Sequence, residues 1–384
     1  MFPMPSKDVL EQLRKGSFIV AHPLALTKDL YIDFRRQSVL TRYYLSSGAD
    51  GVAIGVHTTQ FKVHDDFDKY YKPLLTHTIE IIKECEKSIG RRIIRIAGVV
   101  GRGEDGVREA KLAYDLGYDA GLVSLHKLKG LGDDEIISYL KKISQEIPVF
   151  GFYLQPAVGG LPLRYNFWRR FVSEIKNLIA IKIAPFNRYH TIEVIRAVVE
   201  SGRADEIALY TGNDDNIIID LVNKFVFKDP RGEIVETRIV GGLLGHWAFW
   251  TRRSVEIFRF IKRWISSHDE IPIELMILNN HVTDVNKAVF DVDNNFRGSI
   301  AGVLEMLRRS GLLEEVRLLD PEESLSPGQL KEIDRVYKMY PHLRDDDFIN
   351  RFINEWFNDR CVGYDTLKEF DLKDLKDLIN MVSR

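Results

Sequence analysis

The chain has 384 residues and a formal net charge of −2 at pH 7. Hydrophobic residues make up 45% and charged residues 29%, the balance of a globular protein with a sizeable core. So small a net charge excludes a general attraction to nucleic acid or to an anionic membrane surface, and no apolar run approaches the ~18 residues that span a bilayer.

The two cysteines, Cys85 and Cys361, sit in no CxxC pair, so neither a disulfide framework nor a zinc site is expected, and a reducing cytoplasm is the simplest location. No signal-peptide apolar segment opens the chain, in line with a cytoplasmic protein.

From residue 17 to about residue 268 one pattern repeats eight times: a short apolar, β-branched run, then a stretch with helical spacing. The runs are SFIVAHP (17–23), GVAIGVH (51–57), IIRIAGVVG (93–101), AGLVSLH (120–126), VFGFYLQ (149–155), LIAIKIA (178–184), EIALYTG (206–212) and RIVGGLLG (238–245). Strands alternating with helices mean βαβ units and a parallel sheet. Eight units predict a closed (β/α)8 TIM barrel; an open doubly wound sheet would more often carry a Gly-rich loop after its first strand, and AHPLALTKD is not one. The predicted division is a barrel over 1–270 and a helical appendix over 271–384. Within the appendix, 281–311, 326–341 and 345–384 read as helical, and no role is evident for the 345–384 extension. The piece FKDPRGEIVET (227–237) is a polar insertion before the eighth strand.

Side chains alternate across a strand. In LIAIKIA, Ile179, Ile181 and Ile183 oppose Ala180, Lys182 and Ala184. In VFGFYLQ, Phe150, Phe152 and Leu154 oppose Gly151, Tyr153 and Gln155. In GVAIGVH, Val52, Ile54 and Val56 oppose the glycines, Ala53 and His57. We expect the bulky sets to pack on the outer helices and the small and polar sets to line a lumen with room for a ligand.

Lys182 is then an amine buried in a barrel strand. Desolvation lowers a lysine's pKa, and a neutral amine attacks carbonyls; the alternative is a lysine salt-bridged to a lumen carboxylate. Tyr153 on the preceding strand is placed to shuttle protons, unless it is a core tyrosine. Thr58 and Thr59 offer convergent donors to a carboxylate, or cap the next helix. His57 ends the second strand at the rim where barrel active sites form. In TGNDDN (211–216), Gly212 keeps the lumen open. Asn213 and Asp214 suit a polyol, with capping of the next helix as the alternative for Asp214. Asp214, Asp215 and His246 lack HxH or HExxH spacing, so no metal is expected.

A TT pair after the second strand, YxxP after the fifth, IK in the sixth and GND after the seventh, in that order, resemble the dihydrodipicolinate synthase and N-acetylneuraminate lyase family of Schiff-base aldolases. The resemblance spans roughly residues 17–320. It implies a (β/α)8 barrel with C-terminal helices, a homo-oligomer, no cofactor, and a 2-oxo acid as substrate with an aldehyde as partner. By resemblance Lys182 is the Schiff-base lysine, Tyr153 the proton shuttle, Thr58 and Thr59 the carboxylate-binding pair, and Gly212 a glycine near the substrate.

Three departures bear on specificity. Val158 stands where dihydrodipicolinate synthases place an arginine after YxxP. TTGE becomes TTQF. LHKLKG, after the fourth strand, lacks the tyrosine many members lend across an interface. Lysine biosynthesis is therefore not the expected activity. Gln155 and Asn213 are the uncharged hydrogen-bonders expected to meet the acceptor end of the substrate, an uncharged or hydroxylated aldehyde or the tail of a 2-oxo sugar acid, with Arg188 near the rim; the alternative is that Arg188 reaches in to replace the missing arginine. Two alternatives stand beside the Schiff-base lyase: a non-catalytic barrel that binds a small acid, and a barrel whose IVGGLLGHW (239–247) binds phosphate through Gly245 and His246.

Overall fold

The computed structural model describes residues 2–362 and 370–380; residues 363–369 and 381–384 of the predicted C-terminal helical stretch lie outside the described residues. The strands are β1 (Phe18–Ala21), β2 (Gly51–Ile54), β3 (Ile94–Val99), β4 (Ala120–Val123), β5 (Val149–Leu154), β6 (Leu178–Ala184), β7 (Ala208–Thr211), β8 (Phe225–Lys228), β9 (Ile234–Thr237) and β10 (Gly241–Leu244). Eight of them close a parallel barrel in the order β1-β10-β7-β6-β5-β4-β3-β2, and each lies inside one of the eight predicted runs. The polar insertion forms the antiparallel hairpin β8–β9. The protein is a (β/α)8 barrel with C-terminal helices.

The lumen is filled in layers, as a closed barrel of this size requires. Ala53, Ala180 and Ala184 point inward, as their alternation predicts, while Val52, Ile54, Ile181 and Ile183 pack outward. Ile179, at the start of β6, and Val56, just past β2, join the lumen side instead, and strand β5 is reversed throughout. Phe150, Phe152 and Leu154 point into the lumen, and Tyr153 packs in the helix layer. The reason lies at Gly151, where a Cβ would come within 2.7 Å of Phe171. The helix Tyr165–Glu174 presses on β5 there, so the residue without a side chain must face outward. Inside, Phe150 meets Tyr210 edge to face, with ring centroids 5.3 Å apart.

The helix Lys7–Lys15 closes the N-terminal end of the barrel. Its buried Val9 and Leu13 join the lumen layer, and the Tyr210 hydroxyl donates to the Leu13 carbonyl at 2.8 Å. At the opposite end the C-terminal helices roof the mouth. They share one apolar core with the barrel's outer helices, in which Tyr43, Phe258, Leu275, Val285 and Trp356 are all buried. Among the described residues no helix is long and apolar enough to cross a membrane.

The extension after residue 345 is a strap across the barrel. Asp345 accepts from the Tyr43 hydroxyl at 2.7 Å, and the Trp356 indole donates to Ser46 at 3.0 Å. The strap is also covalently tied, which corrects the expectation from cysteine spacing: Cys85 and Cys361, 276 positions apart in sequence, form a disulfide with Cα atoms 5.3 Å apart. Residues so distant in sequence leave no local signal of such a pair. Disulfides persist in oxidising compartments and in the cytoplasm of heat-adapted organisms, so a reducing cytoplasm no longer follows from the cysteines. Reduction should lower unfolding stability by about 2–4 kcal/mol, the usual worth of a bridge closing a long loop. Urea titrations with and without reductant measure this, and coincident curves would contradict a structural bridge.

Candidate active site

Lys182 lies near the C-terminal end of β6, paired in register with Phe152 on β5 and Tyr210 on β7. It is 7% exposed. Its ammonium sits 4.5 Å from the centre of the Phe152 ring. Among the described residues no hydrogen-bond acceptor and no carboxylate oxygen within 4 Å contacts it. Gly212 makes this placement possible, because a Cβ there would fall 2.5 Å from Lys182 Cε and 2.7 Å from Ala184 Cβ. Burial pushes the lysine down to about 8, against a smaller opposing pull from Asp214.

The amine faces a cavity enclosing about 560 Å³ of atom-free space, part of it open to solvent. His57, Thr58, Gln155, Gly212 and Asp214 line it with Lys182, and Phe290, Phe296, Ser299 and Ile300 roof it. The Thr58 hydroxyl has no hydrogen-bond partner among the described residues. His57 is held neutral. Burial, with Lys182 and His126 nearby, lowers its imidazole to about 3. Gln155 spends its side-chain oxygen on the Ala157 amide at 3.1 Å, and its amide nitrogen is left for a ligand.

Asp214 is buried where the strand-7 loop meets the roof. Its Oδ1 accepts from the His246 amide at 3.0 Å, and its carbonyl accepts from Asn286 Nδ2 at 2.6 Å. Asn286 Oδ1 in turn lies 2.7 Å from His246 Nδ1. Burial outweighs these bonds and the pull of Lys182 and raises the carboxyl to about 7. The sequence pointed to this residue without resolving its role, since four consecutive polar residues after β7 look alike until their direction is known. Phe296 and Ser299 carried no sequence signal, because they come from the appendix.

Other expected site residues are elsewhere. Tyr153 does not face the cavity. Its hydroxyl donates to the Leu163 carbonyl at 2.8 Å, lies 3.0 Å from His190 Nδ1, and is pushed up to about 12 by burial. The lumen position beside Lys182 belongs to Phe152, which has no proton to shuttle. Thr59 donates its hydroxyl to the His22 carbonyl at 2.7 Å and accepts from the Val56 amide at 3.1 Å, so it braces the loop that presents Thr58. Asn213 is buried and bonded to Thr191, Asp220 and the Phe186 amide. Arg188 pairs with Asp220 at 2.7 Å, away from the cavity lining. Two expectations are thereby corrected: Asn213 is not placed to meet a polyol, nor Arg188 to replace the missing arginine. Among the described residues no group of three His, Cys, Asp or Glu side chains could hold a metal ion.

The site is thus a buried lysine at the C-terminal mouth of a closed (β/α)8 barrel, without an ion-pair or hydrogen-bond partner among the described residues. No family model matches the sequence, and no curated protein is similar to it in sequence. Solved structures are similar in fold. One is YagE, a prophage protein of the dihydrodipicolinic acid synthase family from E. coli K12, in complex with pyruvate. It has a TM-score of 0.67 and 16% identity over 84% of this chain and 98% of that one. Dihydrodipicolinate synthase from Oceanobacillus iheyensis gives 0.67 and 15%, over 87% and 98%. The chloride-inhibited synthase from Acinetobacter baumannii, complexed with pyruvate, gives 0.64 and 18%, over 84% and 98%. The chain has the fold of the dihydrodipicolinate synthase family and a sequence far diverged from these structures.

Two predictions follow from the geometry. An amine that loses its proton near 8 is charged and inert below that pH and nucleophilic above it, whereas ordinary lysines stay charged until about 10. Carbamylation by cyanate, mapped by peptide mass spectrometry, should therefore reach half its maximal rate at Lys182 near pH 8, and a midpoint near that of surface lysines would contradict the site. Tyr153→Phe should keep turnover within about twofold and lower stability by about 0.5–1.5 kcal/mol, the worth of a lost buried hydrogen bond. A loss of rate with unchanged stability would return the tyrosine to the chemistry.

Proposed function

We propose that this chain is a class I, Schiff-base carbon–carbon lyase, of aldolase or hydro-lyase type, acting on pyruvate or a related 2-oxo acid. The observation that carries the reading is Lys182: a buried amine over an aromatic ring, with no ion-pair or hydrogen-bond partner among the described residues, facing a cavity at the C-terminal end of the barrel. That two neighbours in fold were solved with pyruvate supports the same substrate class here.

The chemistry balances without a cofactor. The neutral Lys182 amine adds to the ketone carbon, and the carbinolamine loses water to give a protonated imine. The imine draws electrons from the adjacent C–H bond, a base removes that proton, and an enamine forms. The enamine carbon joins an aldehyde carbon while the aldehyde oxygen gains a proton. Water then releases a 4-hydroxy-2-oxo acid and restores the amine. The reverse sequence cleaves the same bond.

Asp214 is the group we assign to these proton transfers. It sits in the same cavity, is anchored by His246 and Asn286, and holds a proton near neutral pH, which suits both acid and base work. Thr58 and neutral His57 are the donors available to the substrate carboxylate. Lysine biosynthesis is disfavoured, since Val158 lines the cavity and Arg188 is committed to Asp220. The phosphate alternative loses its footing too, since Asp214 Oδ1 already accepts from the His246 amide.

Borohydride with pyruvate should add one reduced adduct, mapping to Lys182. Asp214→Asn should slow turnover by roughly 10²–10⁴-fold, the range for a general acid–base. Failure of pyruvate and other 2-oxo acids to label any lysine would favour a barrel that only binds a small acid.

A further inference from the structure

Among the lining residues His57, Thr58, Gln155, Asp214 and Ser299 bring polar groups, while Phe186, Phe290, Phe296, Ile300 and Val303 form an apolar side of the cavity. Lys182 is the only cationic side chain among the lining residues, and on that apolar side a polyol would find only Ser299.

Two of these rings stand on unusual backbone. Phe186 has φ +50° and Phe296 has φ +65°, a left-handed conformation that bulky residues rarely adopt. Each is held there by a hydrogen bond. The Phe186 amide donates to Asn213 Oδ1 at 3.0 Å, and the Phe296 amide donates to the Asp291 carbonyl at 3.0 Å. One ring follows the lysine strand and the other comes from the roof, yet they meet edge to face with centroids 5.6 Å apart. Strained backbone of this kind persists where the surroundings enforce it, and it gathers at ligand clamps.

We propose that the acceptor is an aldehyde with an aromatic or branched aliphatic substituent, seated against Phe186, Phe296 and Ile300. This rests on the imine-forming reading above. The enamine derived from pyruvate forms one C–C bond to the aldehyde carbon, the aldehyde oxygen takes a proton, and hydrolysis frees a 4-hydroxy-2-oxo acid with an apolar tail. Uncharged hydroxylated aldehydes, which the sequence also allowed, are then poor acceptors.

The test uses the full chain with pyruvate and, in parallel, benzaldehyde, 3-methylbutanal, glyceraldehyde and aspartate semialdehyde, with product followed by mass spectrometry. The first two should exceed the others by about tenfold or more in kcat/KM, the discrimination an apolar pocket achieves. Phe296→Ala should reduce the benzaldehyde-to-glyceraldehyde ratio about tenfold. A preference for either polar aldehyde, or no turnover with any of the four, overturns the proposal. So does an equal fall for all four in Phe296→Ala, which would show that the rings only exclude water. Borohydride trapping of pyruvate in the same preparation separates the failures: labelled Lys182 with the wrong preference sinks the acceptor assignment alone, and unlabelled Lys182 sinks the imine reading itself.

Discussion

A lysine taken out of water and given no ion-pair or hydrogen-bond partner among the described residues is the constraint on which the site depends. Burial that lowers Lys182 from 10.5 to about 8 corresponds to roughly 3 kcal/mol set against its charged form. The fold maintains this through particular residues. Gly212 clears the space its side chain occupies. Phe152 puts a ring face, not an acceptor, beside the ammonium. The carboxylate in the cavity, Asp214, is held beyond ion-pair reach by bonds through His246 and Asn286. A direct salt bridge would have stabilised the ammonium and removed the nucleophile.

The C-terminal region is part of this device. Its roof places Phe290, Phe296 and Ile300 over the amine, and Asn286, on the helix Ile273–Val289, fixes Asp214 from above. Without the roof the cavity would be an open dish and the lysine would be hydrated. The strap after residue 345 and the Cys85–Cys361 bridge fasten the same region to the barrel's outer helices. The lumen and the appendix thus act as one site, although their sequences look like separate parts.

The barrel was legible because eight apolar runs each need a helix to cover them, and that demand is written in local periodicity. Lys182 was legible for the same reason: flanked by alanines, it had one consistent face. Tyr153 was misread because alternation separates two faces without saying which is inside. The rule that bulk faces the helices held for Val52 and Ile54 of β2 and for Ile181 and Ile183 of β6, but not for Val56 or Ile179, and it failed throughout β5, where Phe171 claims the space outside Gly151. The YxxP spacing reinforced the error, since it matched a motif while the side chain turned away. The role of Asp214, and Phe296 and Ser299 altogether, were beyond sequence reasoning of this kind. Their role comes from where the roof settles on the barrel, which depends on contacts between residues many tens of positions apart.

The central claim is that Lys182 Nζ forms a covalent imine with a 2-oxo acid inside this roofed cavity. The most direct measurement is a crystal structure of the protein soaked with pyruvate. The account predicts continuous electron density from Lys182 Nζ to the pyruvate C2, with the ligand carboxylate toward Thr58 and His57 and its methyl group within reach of Asp214. An unmodified Lys182 in a salt bridge with Asp214, or pyruvate bound elsewhere on the barrel, would contradict it.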